Sequence, residues 1–283
     1  MIVKAVAGSL TGPRRSGGAR SVPSRQVVLA DQRVDLSRWA RYARVCEMRV
    51  GTTLPGTFLH VMAFALQVKV MAAPDFPFPM LGMVHVANEM QMFAGVGLDE
   101  TLTFTAWADS VRPHRHGATV DLHARAENGS QVVWRGRSTY LVRGADLGGT
   151  ASDPAPEGDP TSGGVGAVPL PAWAHLSLAS DLGRRYAAAS GDVNPIHLHP
   201  LAARMLGFPR TIAHGMWTHA RVLALLEGRV PPRHRMAVSF RKPILLPSTA
   251  VLRARPTHDG HDFAVTDDTG DRQHLVGSIH ALR

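Results

Sequence analysis

An acid, an amide and an imidazole lie close together in residues 190–197, which read Ser-Gly-Asp-Val-Asn-Pro-Ile-His. Asp192 and His197 could hold one water molecule between them, one acting as the base while the other orients the water. Asn194 carries both a donor and an acceptor and could fix that water's position. Because Pro195 lacks a backbone donor and disfavours a helical residue before it, we expect these three side chains to converge from a loop.

The same residues also have a purely structural interpretation. Gly191 and Asp192 would end a helix and turn the chain, and Asn194 with Pro195 would form a second turn. His197 would then be a buried polar residue that its neighbours satisfy. Spacing alone favours this interpretation, so a chemical role needs support from elsewhere in the chain.

The C-terminal half of the chain predicts the elements that hold this segment. Ser180 can cap a helix over 181–189, and Gly191 is placed to end it. Two further helices are predicted over 200–206 and 216–226, each with a glycine close behind it. Four strands are then expected, over about 237–242, 250–255, 262–266 and 274–281.

The N-terminal half repeats this order of helices followed by strands. An alternating stretch from Val27 leads into an amphipathic helix over 35–45, and 58–72 is apolar nearly all round, as in a buried helix. Four strand-like stretches come next, at 83–90, 102–110, 118–126 and 132–142. A long helix followed by antiparallel strands predicts a sheet wrapped around that helix.

A short repeat supports internal duplication. Residues 57–62, Thr-Phe-Leu-His-Val-Met, match residues 211–216, Thr-Ile-Ala-His-Gly-Met, at the threonine, the histidine and the methionine. Each match opens the long helix of its own half, which we interpret as the trace of a duplicated unit. The first half has no counterpart of Asp192, Asn194 and His197, so we expect only the second half to be chemically active.

Composition divides the chain into four parts. Residues 1–25 are basic and contain no acid, and we predict a disordered tail there. Residues 144–170 are rich in glycine, proline and small side chains, which predicts a flexible linker. The folded units are therefore expected over 26–143 and 171–283.

The overall composition is typical of a globular protein. The chain has 283 residues, 45% hydrophobic and 19% charged, and Cys46 is its one cysteine, which fits a reducing compartment such as the cytoplasm. The longest apolar run, 61–73, is too short to span a membrane.

The formal charge of +9 comes mainly from arginine, which suits phosphate, although an arginine-rich proteome explains it equally well. No basic run is interleaved with aromatic residues, which argues against a nucleic-acid partner.

Residues 191–197 resemble the hydratase 2 motif of the MaoC-like dehydratase family, whose members add water to acyl thioesters or remove it. The resemblance continues through Ala-His-Gly-Met at 213–216, and this second match reverses the preference for a purely structural interpretation. Residues 76–79, Phe-Pro-Phe-Pro, and 81–86, Leu-Gly-Met-Val-His-Val, resemble the degenerate half of double-hotdog members from actinobacteria. The chain departs from many relatives at His199, where they carry aspartate, a change that concerns helix capping more than catalysis.

The resemblance implies an α+β double hotdog, in which two antiparallel sheets each wrap around a long central helix. It implies (R)-specific hydration of trans-2-enoyl thioesters, or dehydration of (R)-3-hydroxyacyl thioesters, in fatty acid metabolism. Asp192 and His197 would then exchange protons with a water that Asn194 helps to fix. The backbone N–H of Gly215 would stabilise the thioester oxygen. No cofactor and no metal ion are expected.

The implied substrate is a thioester of coenzyme A or of an acyl carrier protein, and the chain could be a monomer or a homodimer. Two other functions stay open: a hotdog acyl-CoA thioesterase, and a non-catalytic subunit that binds acyl thioesters. Near the motif, five arginines either meet phosphate or lie in solvent: Arg184, Arg185, Arg204, Arg210 and Arg241.

Three other features receive structural interpretations. His214 is expected to support the loop that aims Gly215, and Tyr186 is expected to pack rather than react. Six methionines of the first half would form either a tunnel for an acyl chain or ordinary core: Met62, Met71, Met80, Met83, Met90 and Met92.

Overall fold

The computed structural model describes residues 21–147 and 170–282. Within these ranges the helices are α1 (Leu36–Val45), α2 (Gly56–Met71), α3 (Leu182–Ser190), α4 (Pro195–Leu198), α5 (Pro200–Met205) and α6 (Gly215–Leu225). The strands of the first half are β1 (Gln26–Arg33), β2 (Met83–Met92), β3 (Thr101–His114), β4 (Gly117–Asn128) and β5 (Gln131–Arg143). Those of the second half are β6 (Ala172–Leu178), β7 (His234–Phe240), β8 (Ser248–Pro256), β9 (Gly260–Thr266) and β10 (Gln273–Ala281). The predicted tail (1–25) and linker (144–170) lie almost wholly outside the described residues.

The strands form one antiparallel sheet in the order β1-β3-β4-β5-β2-β7-β10-β9-β8-β6. Each half therefore has the same internal order, as expected for a duplicated unit. We predicted two sheets, and they join edge to edge where β2 pairs with β7, with Met90 opposite Met236 near the middle of the seam. Pairing satisfies the N–H and C=O groups that two separate edges would leave open.

The long apolar helices lie where the sequence places them. Helix α2 is buried nearly all round and packs against β3 and β4, in agreement with its apolar composition. Helix α6 is also largely buried, including Met216, Trp217 and Ala220. No helix of the described residues combines the length and the apolar character that crossing a membrane requires.

Capping residues fix where the helices around the motif begin and end. Asp35 caps α1 by accepting a hydrogen bond from the Arg38 N–H at 3.0 Å. Helix α3 ends at Gly191, whose φ of 82° lies in the left-handed region that glycine tolerates best, as predicted. Its N-cap position, however, is Asp181 rather than the predicted Ser180, and no side chain caps this end.

Two elements were missed, for different reasons. Residues 195–198 form the one-turn helix α4, so the prediction that the motif is entirely a loop was wrong. Pro195 occupies the first turn of α4, where its missing N–H costs nothing and its φ suits the helix. Strand β6 (Ala172–Leu178) contains no valine, isoleucine or threonine, so its composition did not indicate a strand.

The duplicated halves correspond, but not in the register that the sequence repeat indicated. Gly56 begins α2 and Gly215 begins α6. Before these glycines, Leu54 and Ala213 each donate a backbone hydrogen bond, to the carbonyls of Val96 and Ile244 respectively. His214 therefore corresponds to Pro55. His60 lies one turn inside α2 and is not its counterpart.

An ion-pair cluster crosses the seam between the halves. The Glu89 carboxylate accepts two hydrogen bonds from Arg235 of β7, at 2.8 and 2.9 Å, and one from Arg137 of β5, at 2.8 Å. Burial alone would raise the pKa of Glu89, but the two guanidinium groups outweigh it and lower that pKa below its usual value. The cluster therefore stabilises the folded chain while Glu89 is ionised.

We expect Glu89→Gln to lower the free energy of unfolding by about 2 kcal/mol at pH 7, because two part-buried guanidinium groups lose their counter-charge. A carboxyl with a lowered folded pKa contributes stability above its unfolded pKa and loses it as pH falls through the folded value. Urea denaturation from pH 7 to pH 3 should therefore show wild type and variant converging at low pH. Glu227→Gln removes an exposed 3.8 Å pair and is the control; equal effects of the two substitutions would contradict the prediction.

Candidate active site

The four predicted site residues line one cavity of about 260 Å³ that both halves of the chain enclose. Asp192 lies in the turn after α3, Asn194 precedes α4, and His197 lies on α4. Gly215 is the first residue of α6. The motif thus converges from a turn, a one-turn helix and a helix start.

Hydrogen bonding fixes which nitrogen of His197 can act as a base. Its Nδ1–H donates to the Ile212 carbonyl at 2.8 Å, which leaves the lone pair on Nε2 in the neutral ring. Burial lowers the pKa of His197 although the nearby Asp192 carboxylate raises it, so the net shift is downward. The ring is therefore neutral at pH 7 and can accept a proton.

Two local hydrogen bonds hold the Asp192 carboxylate in its turn. The Asp192 N–H donates to Ser190 Oγ at 3.1 Å, and Asp192 Oδ1 accepts from the Asn194 N–H at 3.2 Å. One Asp192 oxygen and one nitrogen each of His197 and His214 lie within 4.8 Å of one another. Two hydrogen bonds of about 2.8 Å can span that gap, so one water molecule can contact both the carboxylate and an imidazole.

His214 supports the Asp192 turn, whereas we predicted that it would support the loop that aims Gly215. Its Nε2–H donates to the Asp192 carbonyl at 3.1 Å, and its ring stacks on His197 with centroids 3.7 Å apart. Tyr186 also packs against the His214 ring, with ring centroids 4.8 Å apart. Burial lowers the pKa of His214 well below the usual value, so this contact is made by a neutral ring.

A metal ion does not suit this group as it is hydrogen-bonded. Asp192, His197 and His214 have the donor atoms and the proximity for an ion. His214, however, presents an N–H to the Asp192 side of the site, because Nε2 donates to the Asp192 carbonyl. Binding an ion through that nitrogen would require His214 to break this bond and change tautomer.

Asn194 uses part of its amide within the motif. Its Oδ1 accepts from the Ile196 N–H at 3.4 Å and caps α4, which leaves Nδ2 as the group that can donate to a water. His199 occupies the junction between α4 and α5, as its predicted capping position requires, but its side chain makes no cap hydrogen bond there.

Gly215 presents the start of α6 to the cavity. No side chain caps this helix start, and the Trp217 N–H donates to the His214 carbonyl at 3.1 Å. Within the described residues this leaves the N–H groups of Gly215 and Met216 for a ligand. A Cβ atom at this position would lie 2.8 Å from the Phe240 ring, closer than real contacts allow. Glycine is therefore required by packing, and the partial positive charge of a helix N-terminus lies at the cavity wall.

The apolar part of the cavity comes from the first half. Phe64, Val68 and Met71 of α2 contribute to its wall. Of the six methionines considered above, Met71, Met80 and Met83 line the cavity, whereas Met90 and Met92 are buried core.

The cavity residues that sequence reasoning did not single out include Tyr140, Phe240 and Arg143. Tyr140 lies opposite His85 in the pairing of β2 with β5, and the two rings stack at 4.6 Å. Burial raises the pKa of Tyr140 and lowers that of His85 to about 3, so both are uncharged at pH 7. Only strand register brings this pair together, and no local pattern could have indicated it.

Cations lie at the exposed rim. Arg241 and Lys242 are exposed and line the cavity. The other four arginines near the motif are not part of its wall: Arg184, Arg185, Arg204 and Arg210.

Comparison with known proteins places the chain among relatives of known class. Residues 166–274 match the model of the MaoC like domain. The chain is 33% identical to 3-hydroxyacyl-thioester dehydratase X of Mycobacterium tuberculosis over 281 residues, which is 99% of this chain and 97% of that protein. It is 24% identical to the peroxisomal enoyl-CoA hydratase 2 of Arabidopsis thaliana over 57% of this chain and 54% of that protein.

Solved structures agree with the predicted fold. The crystal structure of HtdX of Mycobacterium tuberculosis matches with a TM-score of 0.79 and 32% identity, covering 91% of this chain and all of that one. A MaoC-like dehydratase from Phytophthora capsici shares the fold at a TM-score of 0.70 and 15% identity, over 93% of this chain and 97% of that one. The predicted α+β double hotdog and the predicted enzyme class are thereby confirmed. The chain belongs to the MaoC-like dehydratase family.

Proposed function

We propose that this protein catalyses the (R)-specific hydration of trans-2-enoyl thioesters and, in reverse, the dehydration of (R)-3-hydroxyacyl thioesters in fatty acid metabolism. One observation carries the proposal: Asp192 and His197, with side-chain atoms within 4.8 Å of each other, line a cavity whose wall also holds Gly215, the first residue of α6. These groups answer the needs of the reaction, which are a base, a proton donor and a site for negative charge.

The proposed reaction begins with a water molecule held between Asp192 and His197. One of the two takes a proton from the water as its oxygen bonds to C3 of the enoyl group, while the other orients the water. Asn194 helps to fix the water through Nδ2. The group that took the proton then delivers it to C2, which regenerates the base and adds one molecule of water across the double bond.

Negative charge develops on the thioester oxygen as the water attacks. In our proposal this oxygen accepts a hydrogen bond from the Gly215 N–H at the positive end of α6. An oxyanion donor of this kind typically contributes about 3–4 kcal/mol to the transition state. The close packing of Phe240 on Gly215 holds that amide in one place.

The substrate is proposed to lie with its acyl chain along the apolar wall of α2 and its thioester arm at the rim. Arg241 and Lys242 lie at that rim and suit the phosphates of coenzyme A or of a carrier protein's pantetheine arm.

The seam between β2 and β7 already pairs the two halves within one chain, so a monomer and a homodimer both fit. The free, buried Cys46 suits a reducing compartment, and we propose the cytoplasm.

The deciding test follows the loss of the conjugated enoyl absorbance with crotonyl-, octenoyl- and hexadecenoyl-CoA, with chiral analysis of the product. We expect absorbance loss, an (R)-3-hydroxyacyl product and no free thiol. Pantetheine thioesters of the same acyl groups serve as a control for recognition of the carrier's phosphates. Release of free thiol would instead indicate a thioesterase, and saturable binding without absorbance loss would indicate a binding subunit; either result overturns the proposal.

A further inference from the structure

Helix α1 comes from the half without acid–base residues, yet it contacts the turn that carries Asp192. Arg38, on the first turn of α1, donates from Nε to the Ala189 carbonyl at 2.9 Å and from Nη2 to the Ser190 carbonyl at 2.8 Å. Nη2 also lies 3.4 Å from the Val61 carbonyl on α2. The guanidinium thus joins both halves of the chain beneath the active site.

Arg38 donates to carbonyl groups at the C-terminus of α3. The last carbonyls of α3 have no partner within the helix, and the C-terminus of a helix carries partial negative charge. A guanidinium satisfies both conditions, since it donates several hydrogen bonds and is positively charged. Arg38 is half-buried, and Asp35, which accepts from its backbone N–H, and the buried Trp39 fix the helix that carries it.

A short series of hydrogen bonds connects Arg38 to the reactive carboxylate. Arg38 binds the carbonyl of Ser190, and Ser190 Oγ accepts from the Asp192 N–H. Between them, Gly191 adopts a positive φ of 82°, and a Cβ placed there would lie 3.7 Å from Arg38 Nη2. A displacement of the Arg38 guanidinium would therefore also displace Ser190 and the Asp192 turn that is hydrogen-bonded to it.

The other end of α1 is tied to the helix that presents Gly215. Trp217 of α6 donates from Nε1 to the Val45 carbonyl at 2.8 Å. Arg221, one turn further along α6, donates to the Cys46 carbonyl at 2.8 Å. Helix α1 is therefore hydrogen-bonded to α3 at its start and to α6 at its end. Helix α3 leads into the turn that carries Asp192, and α6 begins with the proposed oxyanion donor, Gly215.

We infer that Arg38 is a positioning residue for the hydration reaction, acting through Ser190 to hold the Asp192 carboxylate in line with the water and the Gly215 amide. The inference rests on the proposed function. It assigns the first half a part in turnover that is separate from lining the acyl cavity.

The test compares Arg38→Met, which keeps much of the side-chain length but removes every donor, with Arg38→Lys, which keeps the charge but not the fork. We expect kcat to fall about 10- to 100-fold in Arg38→Met, because small misplacements of reacting groups have effects of that size. KM should change less than threefold, because Arg38 is not part of the cavity wall. Arg38→Lys should lie between Arg38→Met and wild type.

Arg41→Met is the matched control, because Arg41 lies on the same helix, is exposed and bonds only to Ser37 Oγ among the described residues, at 3.3 Å. Its turnover should equal that of wild type. Ethylguanidinium in the millimolar range should restore part of the kcat of Arg38→Ala and leave Arg41→Ala unchanged. Turnover of folded Arg38→Met within twofold of wild type would overturn the inference, as would a loss that a stabilising osmolyte fully reverses.

Two further measurements keep the test decisive. Ser190→Ala removes only the bond to the Asp192 N–H, and we expect a several-fold loss of kcat with unchanged KM even if the Arg38 variants fold poorly. Hydrogen exchange at residues 191–194 should accelerate in Arg38→Met and not in Arg41→Met. Because exchange needs no substrate, it judges the positioning role even if wild type fails to hydrate enoyl thioesters, a result that would overturn the proposed function alone.

Discussion

Replacing Asp192 with asparagine is expected to lower kcat/KM for enoyl-CoA hydration by about 100-fold or more. The substitution removes the negative charge and the proton-accepting oxygen while keeping the size and shape of the side chain. The amide Oδ1 can still accept from the Asn194 N–H, so the turn should persist. Steady-state kinetics with octenoyl-CoA, together with circular dichroism and thermal unfolding, measures the effect.

The Asp192 prediction has a nearby control in Asp181→Asn. Asp181 occupies the N-cap position of the same helix, makes no side-chain cap bond and lies 3.9 Å from Arg185 in a half-exposed pair. Its loss should leave kcat/KM within twofold of wild type. If folded Asp192→Asn hydrates enoyl-CoA at the wild-type rate, the role proposed for Asp192 in holding or deprotonating the water is wrong.

Replacing His197 with alanine is expected to reduce kcat/KM by a similar factor, about 100-fold or more. The substitution removes Nε2, the nitrogen proposed to contact the water, and His214 loses the ring on which it stacks. His199→Ala is the control, because His199 is exposed, two residues further on, and makes no cap bond. Equal turnover of the two alanine variants would contradict the role proposed for His197.

The pH dependence of the hydration activity provides a second test of the role proposed for His197. Burial is the largest influence on this ring and lowers its pKa below the usual 6.5. Because the neutral ring is the reactive form, activity should stay constant near pH 7 and fall only as pH drops through the lowered value. A fall that begins above pH 7 would show that another group limits the rate.

Local sequence patterns could indicate that the proposed site residues lie near one another, because they are close along the chain. Asp192, Asn194 and His197 lie within six consecutive residues. Gly191 ends α3 because glycine tolerates a positive φ, a property that can be read from the sequence. Pro195 was misread, because proline excludes a helix interior but fits a first turn. The same residue therefore has opposite meanings at two helix positions.

Contacts between distant segments could not be predicted in this way. Arg38 is more than a hundred and fifty residues from Ser190, and His85 meets Tyr140 only through the register of β2 and β5. The joining of the two sheets likewise depends on which edges meet in the folded chain. The sequence repeat also aligned the two helix starts in the wrong register. It matched His60 with His214, whereas the structure places Pro55 at the position of His214.

The helix start at Gly56 has a consequence for how such a protein can evolve. A Cβ at Gly56 would lie 3.2 Å from both Trp134 Nε1 and Met92 Sδ, just as a Cβ at Gly215 would meet the Phe240 ring, so close packing favours glycine at both helix starts. The first half also has Pro55 at the position where the second half has His214. A second centre at this helix start would need both a histidine in place of Pro55 and an acid–base pair, so several substitutions would have to occur together before the first half could carry out the proposed reaction.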